Sequence, residues 1–109
     1  MNTEKISNTT VKSAIEALQS NNKDAFYSHF TEGAVFSDDG NELDLKKFFD
    51  NAFNHKEKFI SIDKVENQGK DITGKFYAGQ WGTFEVFFNF KINPEGKIER
   101  LDIGQISKR

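Results

Sequence analysis

The residues best equipped for chemistry in this chain are carboxylates. Asp38 and Asp39 stand together in "AVFSDDG", and Arg100 and Asp102 stand two apart in "RLD". Alternate residues of a strand share a face, so Asp38 is expected beside Ala34 and Phe36, with Val35 and Ser37 on the other side. A carboxylate among aromatic rings is desolvated, its pKa rises, and it becomes a base suited to near-neutral pH. The same residue also opens a "DDG" turn, where a solvated carboxylate would simply end a strand; both readings stand. Arg100 and Asp102 share a strand face and read as a surface pair between strands. His29 lies near Tyr27 and reads as a helix-surface or rim histidine. His55 reads as the end of a helix, where an imidazolium suits the dipole.

Other chemistries are poorly served. Two separated histidines with Asp38 and Asp39 lack helical ligand spacing, and the chain has no cysteine, so neither a metal site nor a disulfide is expected. "TGKFYAGQWG" has glycines but no strand-to-helix transition to cradle a phosphate, and no nucleophile elbow supports a Ser-His-Asp triad. No cofactor is implied. The formal net charge is -2 and the thirteen Lys are scattered among carboxylates, which argues against nucleic acid as a partner. "MNTEKISNTT" carries no apolar run, so neither a secretory leader nor a membrane anchor is expected, and a cytoplasmic location is the expectation. Thirteen Lys against two Arg, with many Asn, Ile and Phe, suggest an AT-rich bacterial genome.

The elements that must position these groups follow from periodicity. The 109 residues suit one domain spanning 1–109. Val11, Ala14, Ile15 and Leu18 recur at helical spacing over about 8–20, with Ser7 or Asn8 as cap and "SNN" as stop. A short second helix capped by Asn22 would place Phe26 and Phe30 on one face. "AVFSD" alternates as a strand, and "DGN" turns. Asp44 caps a third helix with Leu45, Phe48, Phe49, Ala52 and Phe53 as its apolar stripe. Strands over 59–66 and 72–78 flank the turn "NQGKD", and "NPEG" has type I turn preferences before a last strand near 97–106.

The stretch "TFEVFFNF", residues 83–90, is the most informative. Phe84, Val86, Phe88, Phe90 and Ile92 share one parity, so a strand captures them all and a helix does not. Phe87 breaks the polar parity, which Trp81 and Thr83 share. Three helices early and a meander late describe an α+β fold whose helices cover one face of a sheet. Phe87, Trp81 and Thr83 would then mark a dimer interface on the uncovered face. Trp81 could alternatively cover a pocket mouth. Phe26, Tyr27, Phe30, Phe36, Phe49, Phe53, Phe88 and Phe90 would face inward, either lining a ligand pocket or filling it as solid core.

The segments "VKSAIEALQSNNKDAFYSHFTEGAVFSDDG", "LKKFF" and "NPEGKIERL" resemble the nuclear transport factor 2-like superfamily, also called SnoaL-like or cystatin-like. The resemblance implies a cone: a strongly curved antiparallel sheet wrapped around three N-terminal helices, with a pocket at the open end. Members include ketosteroid isomerases, polyketide cyclases, dehydratases, epoxide hydrolases and binding domains. Aligning the isomerases on "AVFSD" places their general base on Asp38. Their oxyanion tyrosine falls on Ala14 and their protonated aspartate on Phe88, so steroid isomerisation is not expected. The epoxide hydrolases combine Asp, Arg and Asp, whereas this chain has only Arg100 and Arg109. The dehydratases use histidines with tyrosines, for which His29 near Tyr27 is the candidate.

Three functions are therefore expected in turn. The first is a homodimeric protein binding a small hydrophobic molecule in the cone. The second is an isomerase or cyclase with Asp38 as general base on a hydrophobic carbonyl compound. The third is an association module without a ligand.

Overall fold

A computed structural model describes residues 3–106; Arg109 lies outside them. Three helices, α1 (Thr9–Gln19), α2 (Lys23–Tyr27) and α3 (Leu45–Asn54), accompany six strands. The strands are β1 (Phe30–Asp38), β2 (Asn41–Leu43), β3 (Lys58–Glu66), β4 (Asp71–Tyr77), β5 (Thr83–Ile92) and β6 (Ile98–Gln105). They form one open sheet in the order β2-β1-β6-β5-β4-β3. The fold is α+β, with a curved, cone-like sheet around the helices.

Local chemistry starts each helix. The side chains of Asn8, Asn22 and Asp44 accept from the amides of Val11, Ala25 and Lys47, satisfying donors that have no partner within the helix. Asn8 rather than Ser7 is the first cap. Asp39 and Gly40, at φ 51° and 87°, make the tight turn that returns β1 into β2. The strand β2 is short and exposed, and the alternation of "AVFSD" carried no sign of it. Phe30 begins β1 instead of continuing α2, yet its ring still packs on Phe26 at 5.0 Å. His29 likewise lies just beyond α2 rather than on it.

The sheet is mixed. Four pairings are antiparallel, while β1 runs parallel to β6, a long-range arrangement that local alternation does not encode. The whole stretch 83–92 is one strand, as its parity requires. Register places Asp38, Ile103, Phe88, Ile72 and Val65 in one row across the inner face. Bulges near Ser61 and Asp63 bend β3, the edge strand, over β4. Its exposed edge is partly closed by Gln19, whose side chain both accepts from the Phe59 amide at 2.8 Å and donates to the Phe59 carbonyl at 2.9 Å.

The bend requires a glycine. A Cβ on Gly74 would collide with the carbonyl oxygen of Ser61, which is backbone and cannot swing aside. Gly74→Ala is therefore expected to lower stability by about 1–3 kcal/mol or more, as overpacking does. Urea unfolding, read by circular dichroism, would measure it against Gly33→Ala, whose added Cβ meets nothing within 4 Å.

Candidate functional site

The inner face of β5 presents Phe84, Val86 and Phe88, opposite Phe76, Gly74 and Ile72 of β4. On the other side, Val86 and Phe88 face Gln105 and Ile103 of β6, and Ile103 in turn faces Asp38. Between this surface and Phe48 and Asn51 of α3 lies a cavity of about 320 Å³. Its apolar wall comprises Phe48, Phe76, Phe84, Val86, Phe88 and Ile103. Its polar groups are Asp38, Asp39, Asn51, Glu57 and Gln105. Trp81, from the single turn Gly79–Trp81, completes the lining while remaining 71% exposed.

Glu57 reaches the cavity through the way α3 ends. The Glu57 amide donates to the Ala52 carbonyl and the Lys56 amide to the Phe53 carbonyl, with Lys56 at φ 54°. This pair of bonds is the Schellman motif, and Glu57 occupies the position that usually carries an apolar residue packed back on the helix. Glu57 is consequently mostly buried there, the residue only 8% exposed, while its carboxylate oxygens stay open to the cavity. Burial pushes its pKa up, opposed by the positive potential of His55. His55 caps α3 with its ring Nδ1 2.8 Å from the Asn51 carbonyl oxygen.

Asp38 is half-buried, and its pKa is also raised, first by burial and then by the neighbouring Asp39. Asp39 is differently held: its Oδ1 accepts from the Gln105 amide at 3.1 Å. Among the described residues, neither the Asp38 nor the Glu57 carboxylate has a hydrogen-bond or ion-pair partner. Gly79 helps leave Glu57 uncovered, since a Cβ there would stand 3.2 Å from Oε2. The arrangement can hold an apolar body, accept a proton at Asp38, and offer two uncompensated acidic groups to whatever enters.

The residues expected to line a pocket are divided by the structure. Phe88 and Asp38 border the cavity just described. Tyr27 and Phe30 border a second one of about 460 Å³, with Leu43 and Leu45. Tyr27 is tied into the helices, donating to Asp50 at 2.9 Å, and burial, before Asp50, pushes its pKa up. Phe26, Phe36, Phe49, Phe53 and Phe90 are buried and packed on one another or on Phe88, with ring separations of 4.8 Å for Phe26–Phe49 and 6.4 Å for Phe49–Phe88.

Phe87 and Thr83 stand on the outer face, and Phe87 lies over Gly104, where a Cβ would come within 2.8 Å of its ring. Trp81 is set apart from that face by its turn and joins the cavity wall. Arg100 pairs with Asp102 along one strand, its Nε 2.9 Å from Oδ2, and Ser37 donates to the same carboxylate on the outer face. They are therefore remote from Asp38 in function, and the expected pairing between strands is replaced by one within β6. His29 borders neither cavity.

Glu57, Asn51 and Gln105 were not expected in the site. "HKEK" reads as a solvated charge run, and a lysine in the left-handed position hides the helix-ending motif. Phe76 and Phe84 follow from strand parity, as does Phe48 from the stripe of α3.

Among the described residues, no group of three or more His, Cys, Asp or Glu could hold a metal ion. No described helix is long and apolar enough to cross a membrane. No family profile and no curated protein matches the chain. Solved structures do. An NTF2-like protein of unknown function from Cytophaga hutchinsonii is 18% identical, with a TM-score of 0.69 over 94% of this chain and 88% of its own. A candidate polyketide cyclase from Sinorhizobium meliloti is 18% identical, with a TM-score of 0.74 over 94% and 99%. An epoxide hydrolase/cyclase-like enzyme of pyran ring formation in salinomycin is 16% identical, with a TM-score of 0.69 over 94% and 92%. At such identities the likeness is one of architecture, and the chain has the fold of the nuclear transport factor 2-like, or SnoaL-like, superfamily.

Proposed function

We propose that this chain binds a small, largely apolar molecule in the cavity between β5, β6 and α3. The observation that carries the reading is the cavity itself: about 320 Å³ walled by phenylalanines and five polar residues. Small-molecule sites have this character, an apolar wall with a few polar groups that orient the guest. Val86 is half-buried on the wall, so Val86→Trp fills the space from a position outside the fully buried core. The neutral dye N-phenyl-1-naphthylamine should fluoresce with the wild type and lose at least tenfold in affinity with the variant. Equal binding by both would remove the cavity from consideration.

The protein works as a homodimer in this reading. Phe87 is half-buried on the outer sheet face, on which Tyr77 is exposed, and no described helix covers that face. Phe87→Asp should shift the mass in sedimentation equilibrium from dimer to monomer. An unchanged mass would place any association elsewhere.

A second reading, an isomerase or cyclase with Asp38 as base, is favoured by the desolvation of that carboxyl inside the cavity. A raised pKa means the folded state keeps a proton that the unfolded chain releases. Stability from that proton is present below the ordinary carboxyl range and is lost as pH rises through the folded value. Asp38→Asn should therefore raise the melting temperature at pH 7 and leave it nearly unchanged at pH 3. A carbon-13 titration of Asp38 with an ordinary midpoint would remove the candidate base.

A further inference from the structure

Resting on the binding reading above, we infer that the cavity selects an apolar ligand carrying a cationic amine. The ammonium lodges against the Glu57 carboxylate, and the apolar body lies among Phe76, Phe84, Phe88 and Trp81.

Charge carries the inference furthest. Among the described residues three carboxylates line the cavity, and no Lys, Arg or His does. Elsewhere in the molecule some acidic groups find cations even at the surface: Asp102 with Arg100, Asp50 with Lys23, Asp63 with Lys75, Glu99 with Lys91. Glu57 is more than nine-tenths buried and has no such partner, although its side chain borders the cavity. His55 is close enough to act on it electrostatically but forms no ion pair with it. The Gly79 backbone passes Oε2 without a side chain to cover it.

The end of α3 adds to the same sign. Glu57 follows the C-terminus of that helix, where the macrodipole places partial negative charge and favours a cation. Aromatic faces favour one too, and four rings besides Trp81 line the same space. An anionic guest would meet three like charges, and a neutral one would leave the buried carboxylate as it stands. An ammonium supplies what a desolvated carboxylate lacks, a counter-charge and donors together.

The test uses three probes of one shape on the full chain at pH 7.5: 2-phenylethylamine, 2-phenylethanol and 3-phenylpropionate. Affinities come from calorimetry and from amide shifts of Phe84, Val86 and Ile103. The amine is expected to bind at least tenfold tighter than the alcohol, with the carboxylate weakest. Glu57→Gln is expected to bring the ratio of amine to alcohol close to one. Alcohol binding as well as amine in the wild type would overturn the cation inference while leaving an apolar site. Failure of all three probes to move those amides would overturn both the inference and the binding reading. Should Glu57→Gln not fold, the ranking of the probes on the wild type decides alone.

Discussion

The architecture depends on how closely β3 bends over β4. A strand that bulges twice turns sharply, and here the turn brings the Ser61 carbonyl onto the inner face of Gly74. Any side chain at Gly74 would hold the strands apart. With none there, Phe59 and Ile62 swing inward, and Phe59 meets Phe88 at 4.8 Å and Phe76 at 5.2 Å. The bend also brings β3 to α1, where Gln19 bonds both backbone groups of Phe59. A backbone carbonyl and an absent methyl thus set the curvature that lets short helices cover a six-stranded sheet.

Curvature then decides where the interior is full. Aromatic rings prefer tilted and edge-on contacts, and each pair adds about 0.5–1.5 kcal/mol beyond the area it buries. Phe26, Phe36, Phe49 and Phe53 form such contacts between the helices and the sheet. Phe88 is the last ring of that network, touching Phe49, Phe59, Phe76 and Phe90. Beyond it the next inner pair is Gln105 and Val86, and both line the cavity. The cavity opens there. Solid core and pocket are therefore not alternatives for this chain but neighbouring regions divided at one ring.

Much of this was legible in the sequence, and what was not shares a cause. The parity of 83–92, the caps Asn8, Asn22 and Asp44, and the common face of Phe36 and Asp38 are local properties, set by two- and 3.6-residue periods. The parallel pairing of β1 with β6 and the brief β2 arise from partners distant in the chain. Neither leaves a mark on alternation. Inward-facing phenylalanines were identifiable, but which of them border a void depends on how the rows beyond are filled by partners distant in the chain. Trp81 followed its parity only on the assumption that β5 began earlier; the turn at Gly79–Trp81 removes it from the strand.

Glu57 shows most plainly how backbone geometry can override side-chain preference. Nothing in its chemistry favours burial, and an ionised carboxylate loses several kcal/mol of hydration on leaving water. The helix end nevertheless fixes its position, because two carbonyls of α3 take the amides of Lys56 and Glu57. An apolar residue would serve that turn better. Some surface acids of this chain sit beside Lys or Arg, whereas Glu57 does not. A mostly buried, unpaired acid that faces an aromatic cavity is the arrangement expected where the balancing charge is brought in by a guest.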